Sequence, residues 1–416
     1  MDNLKVYLVG GAVRDRLMGK EPKDLDYVVV GTTPEKMLER GFKQVGGSFP
    51  VFLHPVTGDE YALARTEVKN GVGYQGFDCY FGPEVSLEED LARRDLTINS
   101  MAIDIDDKYN IIDPFNGQED LKNKILRPTT SAFCQDPLRV FRACRFLAHM
   151  PEFKLHDTFF EYAEIAAKEF KHLPAERIWK ETEKALAGEK PSLYFRYMMH
   201  YDVFSEIREM VGIPQPPKHH PEGDVYIHTM LCVDLAARVY KDPMVTFAAL
   251  VHDFGKASNF HAYGNLHGHE SRGVPIVSAF CAKYKVPNNF KELGEIVCEE
   301  HTRCHSAFDL KPASILNLIK RTKAETNMSR FIMFLSACEM DASGRGQEYD
   351  PVSYQQANYL RECLEEIKGV DTKAISAKGL HEGHNGLLIG ENIYRAKLNA
   401  VKRVQARWKQ KTLKIL

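Results

Sequence analysis

The sequence predicts an α+β protein, with a mixed strand-and-helix region at the N-terminal end and an all-α remainder. Three observations predict it. Strand-like stretches at 4–9, 25–30, 60–65 and 101–105 alternate with helix-like stretches near 11–18 and 34–40. The composition changes at Asp136-Pro137, and helical periodicity then runs almost to the end. With 416 residues, 44% hydrophobic and 27% charged, the chain has the make-up of a globular protein with several cores.

The first elements carry the first chemistry. An apolar strand, Val6-Tyr7-Leu8-Val9, leads into the double-glycine turn Gly10-Gly11-Ala12-Val13-Arg14-Asp15, which opens a helix. A helix start offers unpaired N–H groups to a phosphate. Next comes Lys23-Asp24-Leu25-Asp26-Tyr27-Val28-Val29-Val30. With a strand period of two, Asp24 and Asp26 are expected to point to one face. Two carboxylates so close repel, and a divalent cation between them keeps both ionised. Oxygen-only ligands suit magnesium, completed by substrate phosphates. The pattern predicts a nucleoside triphosphate site.

Gly71-Val72-Gly73-Tyr74-Gln75-Gly76 is a glycine-rich loop between two strands. Arg93-Arg94-Asp95-Leu96-Thr97-Ile98-Asn99 supplies paired cations and polar groups for phosphate and sugar hydroxyls. Asp113-Pro114-Phe115-Asn116-Gly117 reads as a turn before a helix. Asp136 is a suitable N-cap and Pro137 a suitable first helical residue for the helix that carries Arg139, Arg142 and Arg145. Their spacing of three lets them reach one cleft. Glu60 and Glu67 are both available as a third carboxylate.

Beyond Pro214-Gln215-Pro216-Pro217 the histidines concentrate. His228 lies in an opening helical stretch, and His252-Asp253-Phe254-Gly255-Lys256 ends an apolar helix. Asp341 follows later, and His267 and His269 are further candidates. Imidazole with carboxylate suits a transition metal. Cys298, His301, Cys304 and His305 are read as an ordinary helix face, because no standard zinc spacing fits.

A net charge of −2 gives no global pull toward nucleic acid. Nine scattered cysteines without a C-x-x-C pair predict free thiols, and no apolar run is long enough for a bilayer. The expected location is the cytoplasm, with no membrane partner. After Glu391 the tail has no acid but carries Arg395, Lys397, Lys402, Arg403, Arg407, Lys409, Lys411 and Lys414. That stripe fits a phosphate-rich partner and a solvated helix face equally well.

In this order the motifs resemble the bacterial class II tRNA nucleotidyltransferases, the CCA-adding enzymes, and the H…HD…D order resembles the HD metal-dependent phosphohydrolases. The resemblance spans essentially the whole chain. It implies a polymerase-β-like head at 1–135, a helical neck at 136–213, an HD body at 214–345 and a basic helical tail at 346–416. It implies that Asp24 and Asp26 hold magnesium, that Gly11 and Arg14 contact the triphosphate, and that Arg94 and Asp95 sit near ribose and phosphates. Asp136 and Arg139 would read the base, with Arg142 and Arg145 around the nucleotide. The loop at 71–76 would help switch between C and A.

Base reading has a physical sense. Cytosine and adenine each present an amine beside an unprotonated ring nitrogen, so a carboxylate accepts from one and an arginine donates to the other. Uracil and guanine fail both contacts. Gln135 replaces the family's usual glutamate, keeps hydrogen bonding and loses charge, and is expected to orient Arg139 less strongly. In the HD part, His228, His252, Asp253 and Asp341 would bind nickel or another divalent metal. That implies 2′,3′-cyclic phosphodiesterase, 2′-nucleotidase and phosphatase activities. The implied partners are the tRNA 3′ end, CTP and ATP, with monomer and homodimer both open. The alternatives are a bacterial poly(A) polymerase and an HD phosphohydrolase with a nucleotide-sensing head. A protein uridylyltransferase is disfavoured by the base-reading pair.

Overall fold

A computed structural model describes residues 4–45, 51–69, 77–107, 110–346 and 354–413. The glycine-rich loop at 71–76 and Lys414 lie outside the described residues. The chain divides into two compact units, 1–182 and 183–416.

The first unit begins with β1 (Lys5–Val9), α1 (Gly11–Leu17), β2 (Asp26–Val30), α2 (Pro34–Glu39), β3 (Lys43–Val45), β4 (Val51–Leu53) and β5 (Glu60–Leu63). The hairpin β6 (Arg65–Lys69) and β7 (Phe77–Phe81), α3 (Leu87–Ala92), β8 (Ala102–Asp104) and β9 (Ile111–Ile112) follow. Next are α4 (Gly117–Asn123), β10 (Ile125–Leu126), a 3-10 turn (Ser131–Gln135), α5 (Leu138–His149), β11 (Lys154–Leu155), α6 (Asp157–Ala167) and α7 (Ala175–Leu186).

Among the described residues the main sheet is mixed, in the order β3-β4-β5-β2-β1-β8-β9. Strand β1 is interior, between β2 and β8, and covered on both faces. Its alternation sends Tyr7 and Val9 into one cluster with Val28, Leu91 and Ala102. The other face divides between a cluster of Val6, Val29 and Met37 and one of Leu8, Val13 and Met101. The predicted strand 60–65 breaks at Ala64, so that Arg65–Lys69 pairs with β7 in a separate two-stranded sheet.

Two boundaries differ from expectation by physical necessity. Asp24 is not in β2. The antiparallel register sets Val9 against Asp26, so Asp24 would need Gly11 as its partner, and Gly11 has already turned into α1. Helix α5 starts at Leu138 rather than Pro137, although the Asp136 carboxylate still accepts the Leu138 N–H at 3.1 Å.

The second unit is helical: α8 (Ser192–His200), α9 (Ser205–Arg208), α10 (Val225–Tyr240), α11 (Pro243–Val251), α12 (Gly255–Tyr263), α13 (His269–Tyr284) and α14 (Asn288–His305). It ends with α15 (Pro312–Arg321), α16 (Met328–Ser343), α17 (Gln355–Lys368), α18 (Thr372–His381) and α19 (Gly386–Leu413). Its core packs Ala248 and Ala249 of α11 against Leu293 and Val297 of α14 and Phe334 and Ala337 of α16. These helices bring His228, His252, His301 and Asp341 to one place. Helices α12 and α13 touch backbone to backbone. A Cβ on Gly255 would collide with the His269 carbonyl, and one on Gly273 with the Cys298 sulfur.

Candidate active sites

The first site lies in the first unit. Gly10 ends β1 with φ +71°, a left-handed value that favours glycine, and a Cβ there would stand 3.0 Å from Arg94 Nη1. The turn and Arg94 are thus neighbours. Arg94 is placed by Asp90, a fully buried carboxylate that accepts Arg94 Nη2 at 3.0 Å on one oxygen and Arg93 Nη2 at 2.6 Å on the other.

Asp26 opens β2, and Asp24 sits in the bend before it. Asp26 keeps much of its surface in solvent, yet the protein packed beside its carboxyl raises its pKa, Arg94 opposes this and Asp24 adds to it. Both acids and Arg94 are therefore within electrostatic reach of one another, as oxygen-liganded cations and phosphates require. Of the two candidates for a third acid, Glu60 lies beside Asp26 in parallel register. Glu67 is engaged elsewhere, accepting Arg65 Nε at 2.9 Å and Arg93 Nη1 at 3.0 Å.

Arg14, Asp95 and Arg142 are joined through a residue the sequence reading had given no separate role. Arg14 Nη1 donates to Asn99 Oδ1 at 2.7 Å, Asn99 Nδ2 donates to Asp95 Oδ1 at 3.0 Å, and Arg142 Nη2 meets Asp95 Oδ2 at 2.7 Å. Burial works against the Asp95 charge, but Arg142 and Asn99 outweigh it and hold the carboxyl well below the usual range. The same pair raises Arg142. Asn99 belongs to the Arg93–Asn99 motif, so its signal was present.

The α5 arginines part company. Arg139 is buried, donates to the Ala132 carbonyl at 2.9 Å and faces Glu67. Burial pushes its pKa down against the pull of Asp95, Asp136 and Glu67. Arg145 is anchored to buried Glu181 at 2.7 Å. Asp136 Oδ2 lies 3.7 Å from Arg177 Nη2, a neighbour on α7 that no local motif announces. Among the described residues no hydrogen bond joins Gln135 to Arg139.

The second site is enclosed in the second unit. His228 comes from α10, His252 and Asp253 follow α11, and Asp341 comes from α16. His228 Nε2 is 3.0 Å from Asp341 Oδ1, and His252 Nε2 is 3.0 Å from Asp253 Oδ2 and 3.6 Å from Asp341 Oδ1. All four are buried. His252 Nε2 and both Asp253 oxygens lack a hydrogen bond of good geometry. Buried polar atoms left in that state fit a metal ion. Burial disfavours the Asp253 charge, but His252, Lys256 and His269 more than offset it and keep the carboxyl well below its ordinary value.

Three further histidines reach this cluster. His269 Nε2 and His301 Nε2 lie 3.3 and 3.6 Å from Asp253 Oδ1, and His305 Nε2 lies 2.7 Å from Asp341 Oδ2. This corrects the reading of His301 and His305 as an ordinary helix face. The inward side of α14 lines the site, which local spacing does not reveal. Cys304 and Cys298 do stay structural: Cys304 is in the core, and Cys298 approaches the Glu270 carbonyl at 3.8 Å. His267 is held through its backbone, the carbonyl accepting from Asn259 and the N–H donating to Asn265.

The sequence reading also missed Glu222 and Gln215. Glu222 Oε1 lies 2.7 Å from His228 Nδ1, and Gln215 Oε1 accepts Lys256 Nζ at 2.6 Å. The proline-rich segment around Gln215 therefore packs into the site.

The basic tail is partly committed within the fold. Arg407 and Arg403 pair with Glu366 at 2.9 and 3.1 Å, Arg407 also with Glu362 at 2.8 Å, and Lys397 with Glu325 at 2.5 Å. Among the described residues no helix is long and apolar enough to cross a membrane.

Comparison with known proteins gives a domain match in each unit. Residues 6–127 match the poly A polymerase head domain, 145–211 the probable RNA and SrmB-binding site of polymerase A, and 225–339 the HD domain. The multifunctional CCA protein of Hahella chejuensis (strain KCTC 2396) is 44% identical over 407 residues, covering 95% of this chain and 94% of the relative. That of Legionella pneumophila (strain Lens) is 40% identical over 415 residues, covering 98% and 99%. A solved CCA-adding enzyme in apo form II is similar in fold, with TM-score 0.61 and 20% identity over 100% of this chain and 92% of its own. The Thermotoga maritima CCA-adding enzyme complexed with tRNA has TM-score 0.60 and 18% identity over 98% and 92%. With a polymerase head and an HD domain on one polypeptide, the chain belongs to the multifunctional CCA protein family and is a nucleotidyltransferase.

Proposed function

We propose that this chain builds and repairs the 3′-terminal CCA of tRNA from CTP and ATP, without a nucleic-acid template, and releases pyrophosphate. The observation that carries the reading is Arg94, packed against the Gly10 turn and within electrostatic reach of Asp26, which also feels Asp24. Asp24 and Asp26 would hold magnesium. Bound there, magnesium would lower the pKa of the tRNA 3′-hydroxyl and neutralise the phosphates it displaces. Arg94, set by Asp90, and Arg14, set by Asn99, bind phosphate oxygens, with Gly11 supplying its backbone N–H. Asp95 and Arg142 line the ribose side as one clamped pair. Asp136 accepts the exocyclic amine of C or A, and Arg139 donates to the ring nitrogen. The solved relatives include complexes with ATP and with CTP, which supports these substrates. In this reading 1–135 is the head, 136–213 the neck, 214–345 the HD body and 346–416 the tail.

His228, His252, Asp253 and Asp341 would hold nickel or another divalent metal. That ion would supply an activated water for phosphate ester hydrolysis. Lys256, steadied by Gln215, is placed to bind a phosphate oxygen. The activities expected are 2′,3′-cyclic phosphodiesterase, 2′-nucleotidase and phosphatase, which clear damaged 3′ ends before nucleotide addition. A soluble cytoplasmic enzyme, monomeric or dimeric, fits this role.

The test is a product ladder on tRNA lacking its CCA. CTP alone should give two added nucleotides, and CTP with ATP should give three and stop. A long adenylate tail from ATP alone would replace this reading with a poly(A) polymerase.

A further inference from the structure

We propose that Phe146 is a positioning residue for triphosphate binding: its ring sets the plane of the Arg14 guanidinium and closes a loop of contacts that ties α1 to α5. This rests on the nucleotidyl-transfer reading of Arg14 and adds a residue to which that reading gives no part. Phe146 lies in the last turn of α5 and is buried. The Arg14 Cζ stands over its ring, 5.1 Å from the centroid, and the Arg145 Cζ stands over the same ring at 4.7 Å.

The loop can be followed atom by atom. Arg14 Nη1 donates to Asn99, Asn99 donates to Asp95, and Asp95 pairs with Arg142 on α5. Arg142 and Phe146 are four residues apart, so they share one face of that helix. The Phe146 ring then returns the path to Arg14. Arg145 packs on the ring while its Nε pairs with Glu181 Oε2 on α7 at 2.7 Å, so a third helix is joined to the same aromatic.

The ring supplies what the hydrogen bonds do not. A guanidinium is planar and makes its hydrogen bonds in that plane. Arg14 donates through Nε and Nη2 to Asp15 Oδ1 at 2.9 and 2.7 Å, and through Nη1 to Asn99 Oδ1 at 2.7 Å. Asp15 belongs to the same helix, so Asn99 and Phe146 are what fix the group to the rest of the unit. One hydrogen bond leaves the plane free to swing about it, and a π face against the cation removes that freedom. The guanidinium face is weakly hydrated, so it loses little by packing on an apolar ring. Each terminal nitrogen carries a second N–H, and the tilt of the plane decides whether both meet the oxygens of one phosphate.

The full chain is made with Phe146→Leu, which keeps apolar bulk and removes the π face, and with Phe146→Tyr, which keeps the π face. Single-nucleotide addition is followed on tRNA lacking its CCA with CTP varied, and on tRNA lacking only the final A with ATP varied. Phe146→Leu is expected to raise KM about tenfold for both triphosphates, with kcat within about twofold and rejection of UTP intact. Phe146→Tyr should keep the KM of the unsubstituted protein. A purely structural role would lower the active fraction, and hence kcat, and leave KM alone. Added to Arg14→Gln, Phe146→Leu should raise KM no further. If Phe146→Leu loses its helical circular dichroism, Phe146→Met, a flexible side chain without a π face, is read in its place. An unchanged KM in the Leu variant while Arg14→Gln raises it, or a Tyr variant as weak as the Leu variant, overturns the role of the ring and leaves Arg14 on the triphosphate. An unchanged KM in Arg14→Gln itself overturns that assignment and this proposal with it.

Discussion

Glu67 Oε2 stands 3.9 Å from Arg139 Nη2, while the other oxygen of the same carboxylate takes Arg65 and Arg93. Glu67 lies on β6, one flank of residues 70–76, and so ties that hairpin to the arginine assigned to base reading. Removing its charge should loosen Arg139 without touching the acids at Asp24 and Asp26. Glu67→Gln is expected to reduce preference for CTP over UTP about tenfold, near 1.4 kcal/mol. Single-nucleotide addition kinetics would show it, and an unchanged preference with a lowered kcat would assign Glu67 to catalysis instead.

In the proposed reading Arg139 itself carries the larger share. Its burial means that a lost guanidinium leaves the base edge without a donor, a deficit of about 1–3 kcal/mol. Arg139→Ala should therefore bring UTP incorporation within about tenfold of CTP while pyrophosphate release still accompanies each addition. Preserved rejection of UTP would place base selection on other residues.

The residues of each proposed site lie within one compact unit, so the two activities should separate cleanly. Asp26→Ala is expected to abolish nucleotide addition by at least about a thousandfold and spare hydrolysis of a 2′,3′-cyclic phosphate. Asp253→Ala is expected to do the reverse. Both reactions are measured on one preparation of each variant, and parallel loss in a folded variant contradicts the two-site account.

The Asp95 clamp predicts a pH signature. Its pKa is lower in the fold than the ordinary 3.8, so the unfolded chain takes up the proton first as pH falls. The stability it contributes is then complete above about pH 4 and lost only as pH drops further toward the folded value. Asp95→Asn should cost about 2–3 kcal/mol at pH 7 and the same at pH 5, with the gap closing only in stronger acid. Urea unfolding followed by Trp179 fluorescence reads the first unit once Trp408→Phe has removed the other tryptophan.

How much of this was legible follows from which contacts are local. The β1 strand, the glycine turn, the Arg93–Asn99 motif and the His252-Asp253 pair are each written within a few consecutive residues, and the structure has β1, the turn into α1 and the end of α11 where expected. Asp24 was misplaced because strand membership depends on a partner, and its partner position had turned into α1. His301 and His305 escaped because their roles depend on which side of a helix meets a chain segment dozens of residues away. Asp90 and Glu181 look like ordinary helix-surface acids in sequence, and only burial shows that they anchor arginines. The tail was ambiguous for the same reason, since its ion pairs with α17 are set by packing.

The bare crossing of α12 on α13 has a consequence for how this protein can change over time. With Gly255 pressed on the His269 peptide and on the Gly273 backbone, no side chain buffers that approach, and Gly273 in turn lies against the Cys298 sulfur of α14. Solvent-facing positions along α13 are free to drift, because nothing they carry sets the depth of that imidazole. A single added methyl at either glycine would act as a wedge. A descendant that had dispensed with hydrolysis could be recognised by such an alanine well before any of its ligands had been lost.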